Sequence, residues 1–253
     1  MFRNAIVRTP APTIIDGLTT AGLGKPDYKK ALEQHAAYRE TLKQLGLDVE
    51  ILPQNDKYPD SAFIEDVALC TPYCAVIMRP GAVSRRGEIA GFRDILGAYY
   101  DKIEIIRLPG TVEAGDIMMV GNHYYIGISG RTNIEGADQL IKILERHGLT
   151  GSKIILKKML HLKSGVSYLE NNNLLVCGEF TGMQEFDKFN KIIIDDDERY
   201  AANSLWINGK VLVPEGYPNT RKKVEKAGYE TIVLDVSEFC KVDGGLSCLS
   251  LRF

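Results

Sequence analysis

Two apolar strands joined by a tight turn are encoded in the stretch Asn203-Ser204-Leu205-Trp206-Ile207-Asn208-Gly209-Lys210-Val211-Leu212-Val213-Pro214. An Asn-Gly pair between apolar runs favours a type I′ turn, because both residues readily take a positive φ, and that turn joins antiparallel strands. The next segment has a charged helical pattern at 220–228 and a third apolar strand at 230–234. We therefore expect a unit of two antiparallel strands, a helix and a further strand.

Three earlier segments of the chain show a related pattern. Each has two apolar strands joined by a turn, and two of the three continue into a charged helix and another strand. The predicted elements lie at 67–70, 75–78, 85–99 and 103–106 in the first copy, at 116–120, 124–128, 133–147 and 153–156 in the second, and at 167–170 and 174–178 in the third.

The two ends of the chain are predicted to complete a fifth copy. Residues 248–251 form a last strand, and residues 4–8 form a first strand that precedes a helix at 27–45 and a strand at 49–52. Five copies at a period of roughly 35 to 50 residues indicate a radial propeller of mixed sheets. The alternative is an α+β domain with several hairpins. The regular recurrence favours a single five-bladed α/β propeller over 1–253, with pseudo-fivefold repeats around a central active site.

Composition excludes several classes of protein. A formal net charge of -2 and the lack of a basic block argue against nucleic-acid binding and against an anionic membrane surface. No stretch approaches the roughly 20 apolar residues that a membrane span needs, and residues 1–8 lack the apolar core of a secretory signal. Five cysteines are an odd count without a disulfide framework, although Cys70 and Cys74 flank a turn and could pair. We expect a cytoplasmic enzyme.

Polar and ionisable residues stand at or just before the first strand in most copies. In a radial fold the equivalent ends of the inner strands converge on one axis, so we expect these residues to share one pocket. They are Asp60, Glu65 and Asp66 in the first copy, Glu113 and Asp116 in the second, His161, Lys163 and Ser164 in the third, and Asp243 and Cys248 in the last.

Three of these residues suit nucleophilic catalysis. The thiolate of Cys248 would be a strong nucleophile, and His161 could accept or pass on a proton because a histidine titrates near neutral pH. Glu113 could orient the imidazole, as the third member of a nucleophile, base and orienter set. The paired glycines Gly244 and Gly245 would let the backbone pass close to a ligand.

The charged residues suit a substrate that carries both a guanidinium and a carboxylate. Glu65 and Asp66 match the paired N–H groups of a guanidinium. Arg85 and Arg131 could hold a substrate carboxylate by the same geometry.

Each residue taken alone has a plainer interpretation. A cysteine such as Cys248 is usually a small core residue, and His161 alone would be a cap or a surface residue. The carboxylates would cap strand ends, and the arginines would lie on solvated faces. Structural or solvated roles are also predicted for His35, His123, His147 and the acidic run 195–198. The combination of signals favours the catalytic interpretation.

Four motifs resemble those of dimethylarginine dimethylaminohydrolases, which share a guanidino-group-modifying superfamily with arginine deiminases and amidinotransferases. The motifs occur in the family's order, and the chain length suits the compact hydrolases. They are Phe63-Ile64-Glu65-Asp66-Val67-Ala68, Val112-Glu113-Ala114-Gly115-Asp116, His161-Leu162-Lys163-Ser164 and Val242-Asp243-Gly244-Gly245-Leu246-Ser247-Cys248. The resemblance implies the family's five-bladed α/β propeller, the pentein fold, which the repeat pattern also indicates.

The resemblance also implies a role for each site residue. Cys248 would be the nucleophile, His161 the general acid and later the base, and Glu113 the group that orients His161. Asp66 would align the guanidinium for attack. The substrate-binding residues would be Leu18 in the long loop 9–26, which matches the family lid, together with Asp60, Phe63, Glu65, Asp66, Arg85, Arg131, Ser164, Val242 and Asp243.

The implied reaction is hydrolysis of N-omega-methylated arginine to citrulline and an alkylamine through a covalent cysteine adduct. It requires no cofactor and no metal. The alternatives are an arginine deiminase or amidinotransferase that acts on another guanidine, and a catalytically silent binder of arginine-like ligands. We expect a small-molecule guanidine as the partner, with neither nucleic acid nor membrane, and a homodimer as the candidate assembly.

Overall fold

The computed structural model describes residues 1–253 as five β-sheets of three strands each, with helices in the connections. The strands are β1 (Asn4–Arg8), β2 (Asp48–Leu52), β3 (Ala68–Cys70), β4 (Ala75–Ile77), β5 (Ile103–Ile105), β6 (Ile117–Val120), β7 (His123–Ile128), β8 (Thr150–Ile155), β9 (Val166–Tyr168), β10 (Asn173–Val176), β11 (Asn190–Ile193), β12 (Leu205–Ile207), β13 (Lys210–Pro214), β14 (Glu230–Leu234) and β15 (Leu251–Arg252). The α-helices are α1 (Tyr28–Gln44), α2 (Phe92–Gly97), α3 (Ile134–Arg146), α4 (Pro218–Lys226) and α5 (Ser237–Cys240). No helix is both long enough and apolar enough to cross a bilayer.

All five sheets share one pairing scheme. The middle strand of each sheet pairs antiparallel with one neighbour and parallel with the other. A parallel pair requires a crossover connection, and an α-helix supplies it in four of the five sheets. The strand orders are β3-β4-β5, β6-β7-β8, β9-β10-β11, β12-β13-β14 and β15-β1-β2.

The fold class predicted from the repeats is confirmed. The fifth sheet joins the two ends of the chain, since Ala5 pairs with Arg252 and Ile6 with Leu251 in antiparallel register. The turn between β12 and β13 has the expected positive φ at Asn208 (49°) and Gly209 (97°). Local turn chemistry and strand periodicity were sufficient to predict this architecture.

The prediction of one continuous helix over 85–99 is wrong. The segment forms the 3₁₀ helix Val83–Ile89 and then the short helix α2. Gly91 separates them with a φ of 80°, a left-handed conformation that cannot continue a helix. The break ends the 3₁₀ turn that carries Arg85.

The strand predicted at 248–251 is also wrong except at its last residue. Ser247–Leu249 is a 3₁₀ turn, and β15 begins at Leu251. The turn forms because the Cys248 N–H donates to the Gly245 carbonyl (3.1 Å). Cys248 therefore lies on a turn, three residues before the strand begins.

Three smaller expectations also need correction. The third repeat has a third strand, β11, which was not predicted because residues 190–193 contain only two apolar side chains. The loop 9–26 contains the 3₁₀ helix Pro12–Asp16. The acidic run 195–198 is not wholly solvated, because Glu198 is buried and accepts the N–H of Asn219 (3.0 Å) at the start of α4.

No disulfide joins Cys70 to Cys74 or any other pair.

The chain divides into two compact units, each with its own sheets. Residues 1–64 and 165–253 form the terminal unit, and residues 65–164 form the internal unit. Buried apolar residues of the terminal unit include Tyr38, Phe239 and Leu246. Those of the internal unit include Met78 and Ile126, and α3 covers this core with Leu140 and Leu144.

Candidate active site

A carboxylate–imidazole pair lies in the internal unit, where Glu113 is buried and His161 is partly buried. Glu113 precedes the 3₁₀ turn Ala114–Asp116, and its Oε2 is 2.9 Å from His161 Nε2. The other carboxylate oxygen, Oε1, accepts the backbone N–H of Ala82 (3.0 Å). Glu113 is therefore fixed at one oxygen and orients the imidazole with the other, as the sequence motif predicted.

The charges around His161 favour the imidazolium form. Burial disfavours a charged imidazole, but three carboxylates, Asp116, Asp66 and Glu113, outweigh that penalty and raise the pKa of His161 to about 9. The side chain is therefore protonated at neutral pH. In this state it can donate a proton to a leaving group.

Asp66 is the second carboxylate of this cluster, and a buried arginine holds it. Arg85 Nη1 lies 2.6 Å from Asp66 Oδ2, and Gly115 N–H donates to Oδ1 (2.9 Å). Burial opposes ionisation of Asp66, yet the positive charge of Arg85 prevails and lowers the pKa of the carboxyl below its ordinary value. Arg85 also donates to both oxygens of Glu88, from Nε (3.0 Å) and Nη2 (2.9 Å). This pairing fixes the plane of its guanidinium.

Gly115 gives the imidazole the space that it occupies. A Cβ at this position would lie 2.8 Å from Asp66 Oδ1 and 2.9 Å from His161 Nδ1. Real Cβ atoms are not found that close to other heavy atoms, so any larger residue would displace one of the two side chains. The glycine of the Glu-Ala-Gly-Asp motif is thus a steric requirement of the site.

The other predicted residues of the internal unit border the same group. Lys163 Nζ forms an ion pair with Glu65 Oε1 (2.6 Å). Arg131 is partly exposed and places Nη1 3.9 Å from Glu113 Oε1. Ser164 ends the 3₁₀ turn Leu162–Ser164, and its N–H donates to the carbonyl of His161 (3.2 Å). The structure thus connects these residues to the His161–Glu113 pair through charge or backbone.

In the terminal unit, the Asn203 amide and the Arg252 guanidinium position the turn that carries Cys248; Arg252 Nη1 donates to the Ser247 carbonyl (2.9 Å). Asn203 Oδ1 accepts the N–H of Ser247 (2.9 Å), and Asn203 Nδ2 donates to the Ser247 hydroxyl (3.0 Å). A Cβ at Gly245 would lie 2.6 Å from the same Asn203 oxygen. Cys248 itself is partly exposed and packs against the apolar core of this unit.

Residues of the loop 9–26 in the terminal unit contact the loop before Cys248. The Leu18 N–H donates to Asp60 Oδ1 (2.9 Å), and a Cβ at Gly17 would touch both that oxygen and Val242 Cγ1 (3.1 Å each). Asp243, with a φ of 57°, accepts the backbone N–H of Thr20 (2.6 Å).

Phe63 packs edge-on against Phe239, and it lies so close to Gly244 that no Cβ would fit there. The predicted residues Leu18, Asp60, Phe63, Val242 and Asp243 therefore lie together within this unit.

Asp66, Glu113 and His161 are also the group best placed to hold a cation, since their ligand atoms lie within 4.8 Å of one another. Those atoms already interact with Arg85, with Gly115 and with each other. A metal ion would have to displace the Arg85 guanidinium, so the cluster fits proton transfer better than metal binding.

Comparison with known proteins identifies the family. The family model described as N,N dimethylarginine dimethylhydrolase, eukaryotic, matches residues 25–206. The N(G),N(G)-dimethylarginine dimethylaminohydrolase of Pseudomonas aeruginosa is 56% identical over 100% of both chains. The chain belongs to the dimethylarginine dimethylaminohydrolase family.

Other members of the dimethylarginine dimethylaminohydrolase family support this assignment. The Streptomyces coelicolor enzyme is 33% identical over 99% of this chain and 96% of its own. The solved structure of the Pseudomonas aeruginosa enzyme, a cysteine-to-serine mutant complexed with citrulline, matches this chain with a TM-score of 0.99 over 100% of both. The α/β fold of five three-stranded sheets is thus the family's fold.

Two residues of this chain, Asp116 and Thr132, were assigned no catalytic or binding role from the sequence. From its position in the sequence, Asp116 was grouped with the strand-end residues, but the sequence alone does not reveal that this side chain is buried. Thr132, which bonds both Asp116 and the Glu113 backbone, was not singled out. The Glu-Ala-Gly-Asp spacing was the available signal for Asp116, whereas nothing local marks Thr132.

Proposed function

We propose that this protein hydrolyses N-omega-methylated arginine, both dimethylarginine and monomethylarginine, to citrulline and an alkylamine. The observation that carries the proposal is the Glu113–His161 pair (2.9 Å), whose imidazole is protonated at neutral pH. Such a pair can protonate an amine leaving group. The 56% identity to a dimethylarginine dimethylaminohydrolase, whose mutant was crystallised with citrulline, supports the choice of substrate.

In the first half of the proposed reaction, the Cys248 thiolate attacks the guanidinium carbon. A C–S bond forms and the planar carbon becomes tetrahedral. Glu65 and Asp66 accept N–H bonds from the guanidinium and keep its plane aligned. His161 then gives its proton to the methylated nitrogen, the C–N bond breaks, and dimethylamine or methylamine leaves. A thiouronium adduct remains on Cys248.

In the second half, neutral His161 takes a proton from water, and the resulting hydroxide attacks the adduct carbon. The C–S bond breaks, the added hydroxyl loses its proton to solvent, where the released amine can bind it, citrulline leaves, and Cys248 is again a thiolate. His161 ends the cycle protonated, as its raised pKa favours. Glu113 stabilises the imidazolium in both halves.

The amino-acid end of the substrate is assigned to the remaining predicted residues. Arg85 and Arg131 would bind the carboxylate, and Asp60 with the backbone of Leu18 and Val242 would bind the amino group. The Leu18–Asp60 hydrogen bond supports a shared role for these two. Phe63, Ser164 and Asp243 complete the set that we assign to substrate binding.

We also propose that residues 1–253 act as one catalytic domain, in the cytoplasm and as a homodimer. Five cysteines without a disulfide support a reducing compartment. No cofactor enters the proposed chemistry. Size-exclusion chromatography with light scattering tests the dimer, since a monomeric mass at micromolar concentration would contradict it.

A substrate panel tests the proposed function. Purified protein is incubated with arginine, monomethylarginine and the symmetric and asymmetric dimethylarginines, and citrulline is measured. We expect citrulline and dimethylamine from the asymmetric form, and citrulline with methylamine from monomethylarginine. Consumption of arginine alone would make the protein a deiminase, and turnover only with an added amine would make it an amidinotransferase. Tight binding without any product would contradict a catalytic role.

A further inference from the structure

One buried carboxylate in the internal unit has no part in the reaction as proposed. Asp116 is fully buried and accepts three hydrogen bonds, from Leu162 N–H (2.9 Å), the Ser129 hydroxyl (2.7 Å) and the Thr132 hydroxyl (2.7 Å). Three donors aimed at one side chain favour its ionised form. A buried charge with this much support is costly to keep, and such groups cluster at functional sites.

The partners of Asp116 lead to both members of the catalytic pair. Leu162 follows His161 directly, so its N–H bond to Asp116 fixes the backbone at the imidazole. The Thr132 hydroxyl, which donates to Asp116, accepts the N–H of Glu113 (3.2 Å). The N–H of Asp116 itself donates to the Glu113 carbonyl (3.0 Å).

We propose that Asp116 is a positioning residue that sets the His161–Glu113 geometry by holding the backbone on both sides of the pair. The expected effect of Asp116 on turnover rests on the proposed function, because turnover is measured with a methylated arginine. Asp116 does not touch the substrate in this scheme, and it acts only through His161 and Glu113.

The packing around Asp116 leaves its carboxylate little freedom. A Cβ on Gly127 of β7 would lie 3.0 Å from Asp116 Oδ1 and 3.1 Å from Leu162 Cβ. The carboxylate is therefore enclosed between β7 and the turn that follows His161. A rigid anchor of this kind can transmit its position to the imidazole.

The same carboxylate acts on His161 electrostatically. The charged groups that face the imidazole are Asp116, Asp66 and Glu113, with Arg85 bound to Asp66 and Arg131 near Glu113. The strongest single charge–charge interaction that raises the pKa of His161 is the one with Asp116. Burial in turn raises the pKa of Asp116 itself, and the charge of His161 together with its hydrogen bonds opposes that rise.

The first test is Asp116→Asn, which keeps the shape of the side chain and removes its charge. The pKa of His161 is measured by NMR on protein carrying labelled histidine, and kcat is measured from pH 5 to 10 with asymmetric dimethylarginine. We expect the pKa of His161 to fall by about 1 unit or more, and the alkaline limb of kcat to move with it. We expect kcat to fall about 100-fold with little change in KM.

The second test separates position from charge at Thr132. Thr132→Val removes the hydroxyl that connects Asp116 to Glu113, whereas Thr132→Ser keeps it. We expect the valine variant to lose about 10-fold in kcat, since a misplaced catalytic group costs up to roughly 100-fold. In the valine variant the pKa of His161 should stay near its value in the unmodified protein. The serine variant should resemble the unmodified protein in both kcat and the pKa of His161.

Glu198→Gln is the matched control, because Glu198 is a buried carboxylate in the terminal unit that also accepts backbone N–H bonds. It should lower the melting temperature and leave the pKa of His161 unchanged. An unchanged pKa and pH profile in Asp116→Asn would overturn the inference, as would equal losses in the two Thr132 variants. If the unmodified protein turns over no methylarginine, the proposed function fails, while the NMR measurement still decides the role of Asp116.

Discussion

The two compact units hold their site residues by different physical means. In the internal unit, His161 is surrounded by the carboxylates Asp66, Glu113 and Asp116, and charge sets its protonation. In the terminal unit, the turn with Cys248 is held by hydrogen bonds from Asn203 and Arg252 and by close packing at Gly245, with no carboxylate among these contacts. Changes of charge should therefore perturb the protonation of the first group, whereas a change of shape at Gly245 should perturb the position of the second.

Two histidines make the same contrast in their pKa values. Burial lowers the pKa of His35 in the terminal unit to about 3, with the charge of Arg39 adding to the effect. His161 is partly buried, with 12% of its side chain exposed, but carboxylates raise its pKa to about 9. The contribution of His161 to stability is thus complete below pH 6.5 and lost as pH rises through 9, while that of His35 has the opposite sign. Neighbouring charge decides the direction.

The largest expected effect is on Cys248. Cys248→Ser should lower kcat by more than about 10⁴-fold, because a hydroxyl cannot replace the thiolate in forming the adduct. Citrulline release from asymmetric dimethylarginine is the measurement. Cys240→Ser is the control, since Cys240 is also partly exposed in the terminal unit. Equal activity of the two variants would remove Cys248 from the mechanism.

The next largest effect concerns stability in acid. The unfolded chain protonates His35 near pH 6.5 and the folded protein only near 3, so stability should fall as pH drops between these values. The loss approaches about 5 kcal/mol, because each pKa unit is worth about 1.4 kcal/mol. His35→Phe should flatten the dependence measured by urea unfolding from pH 7 to 4.

His123→Gln is the control for this prediction, because both ring nitrogens of His123 have hydroxyl partners at 2.8 Å. Its acid dependence should match that of the unmodified protein. A His35→Phe variant that remains as sensitive to acid would contradict the assignment of the effect to this buried ring.

A smaller loss is expected from Gly115→Ala. The new Cβ would lie 2.9 Å from His161 Nδ1, so the imidazole must turn away from Glu113. We expect kcat to fall about 100-fold, with a changed pH profile because the carboxylates would act on a displaced ring. Gly182→Ala, where a Cβ would enter open space, should have normal kinetics. Normal kinetics in both variants would show that the ring has room to move.

The smallest effect is expected from Gly245→Ala. Its Cβ would lie 2.6 Å from Asn203 Oδ1 and loosen the turn that carries Cys248. We expect about a 10-fold loss in kcat, less than the roughly 100-fold that a 1 Å displacement costs. The pH profile should keep its shape, in contrast to Gly115→Ala. A profile that shifts equally in both variants would erase the distinction between the two units.

Much of the fold and several contacts of the site could be predicted from local patterns. Asn208-Gly209 predicted its hairpin because two positive φ angles are a property of the dipeptide itself. The contact between Glu113 and His161 was expected from the types and places of the two residues. The helix at 85–99 failed because the apolar spacing there continues past Gly91, where the backbone turns left-handed.

By itself the sequence determined the five repeated units and the identity of the chemically capable side chains, because periodicity, turn preference and residue type are local. Only the tertiary structure decided that His161 is cationic, that Gly115 must lack a side chain and that Asp116 braces the pair. These properties depend on burial and on distances between residues as far apart in the chain as Asp66 and His161. Electrostatic and steric terms of that kind exist only once the chain has folded.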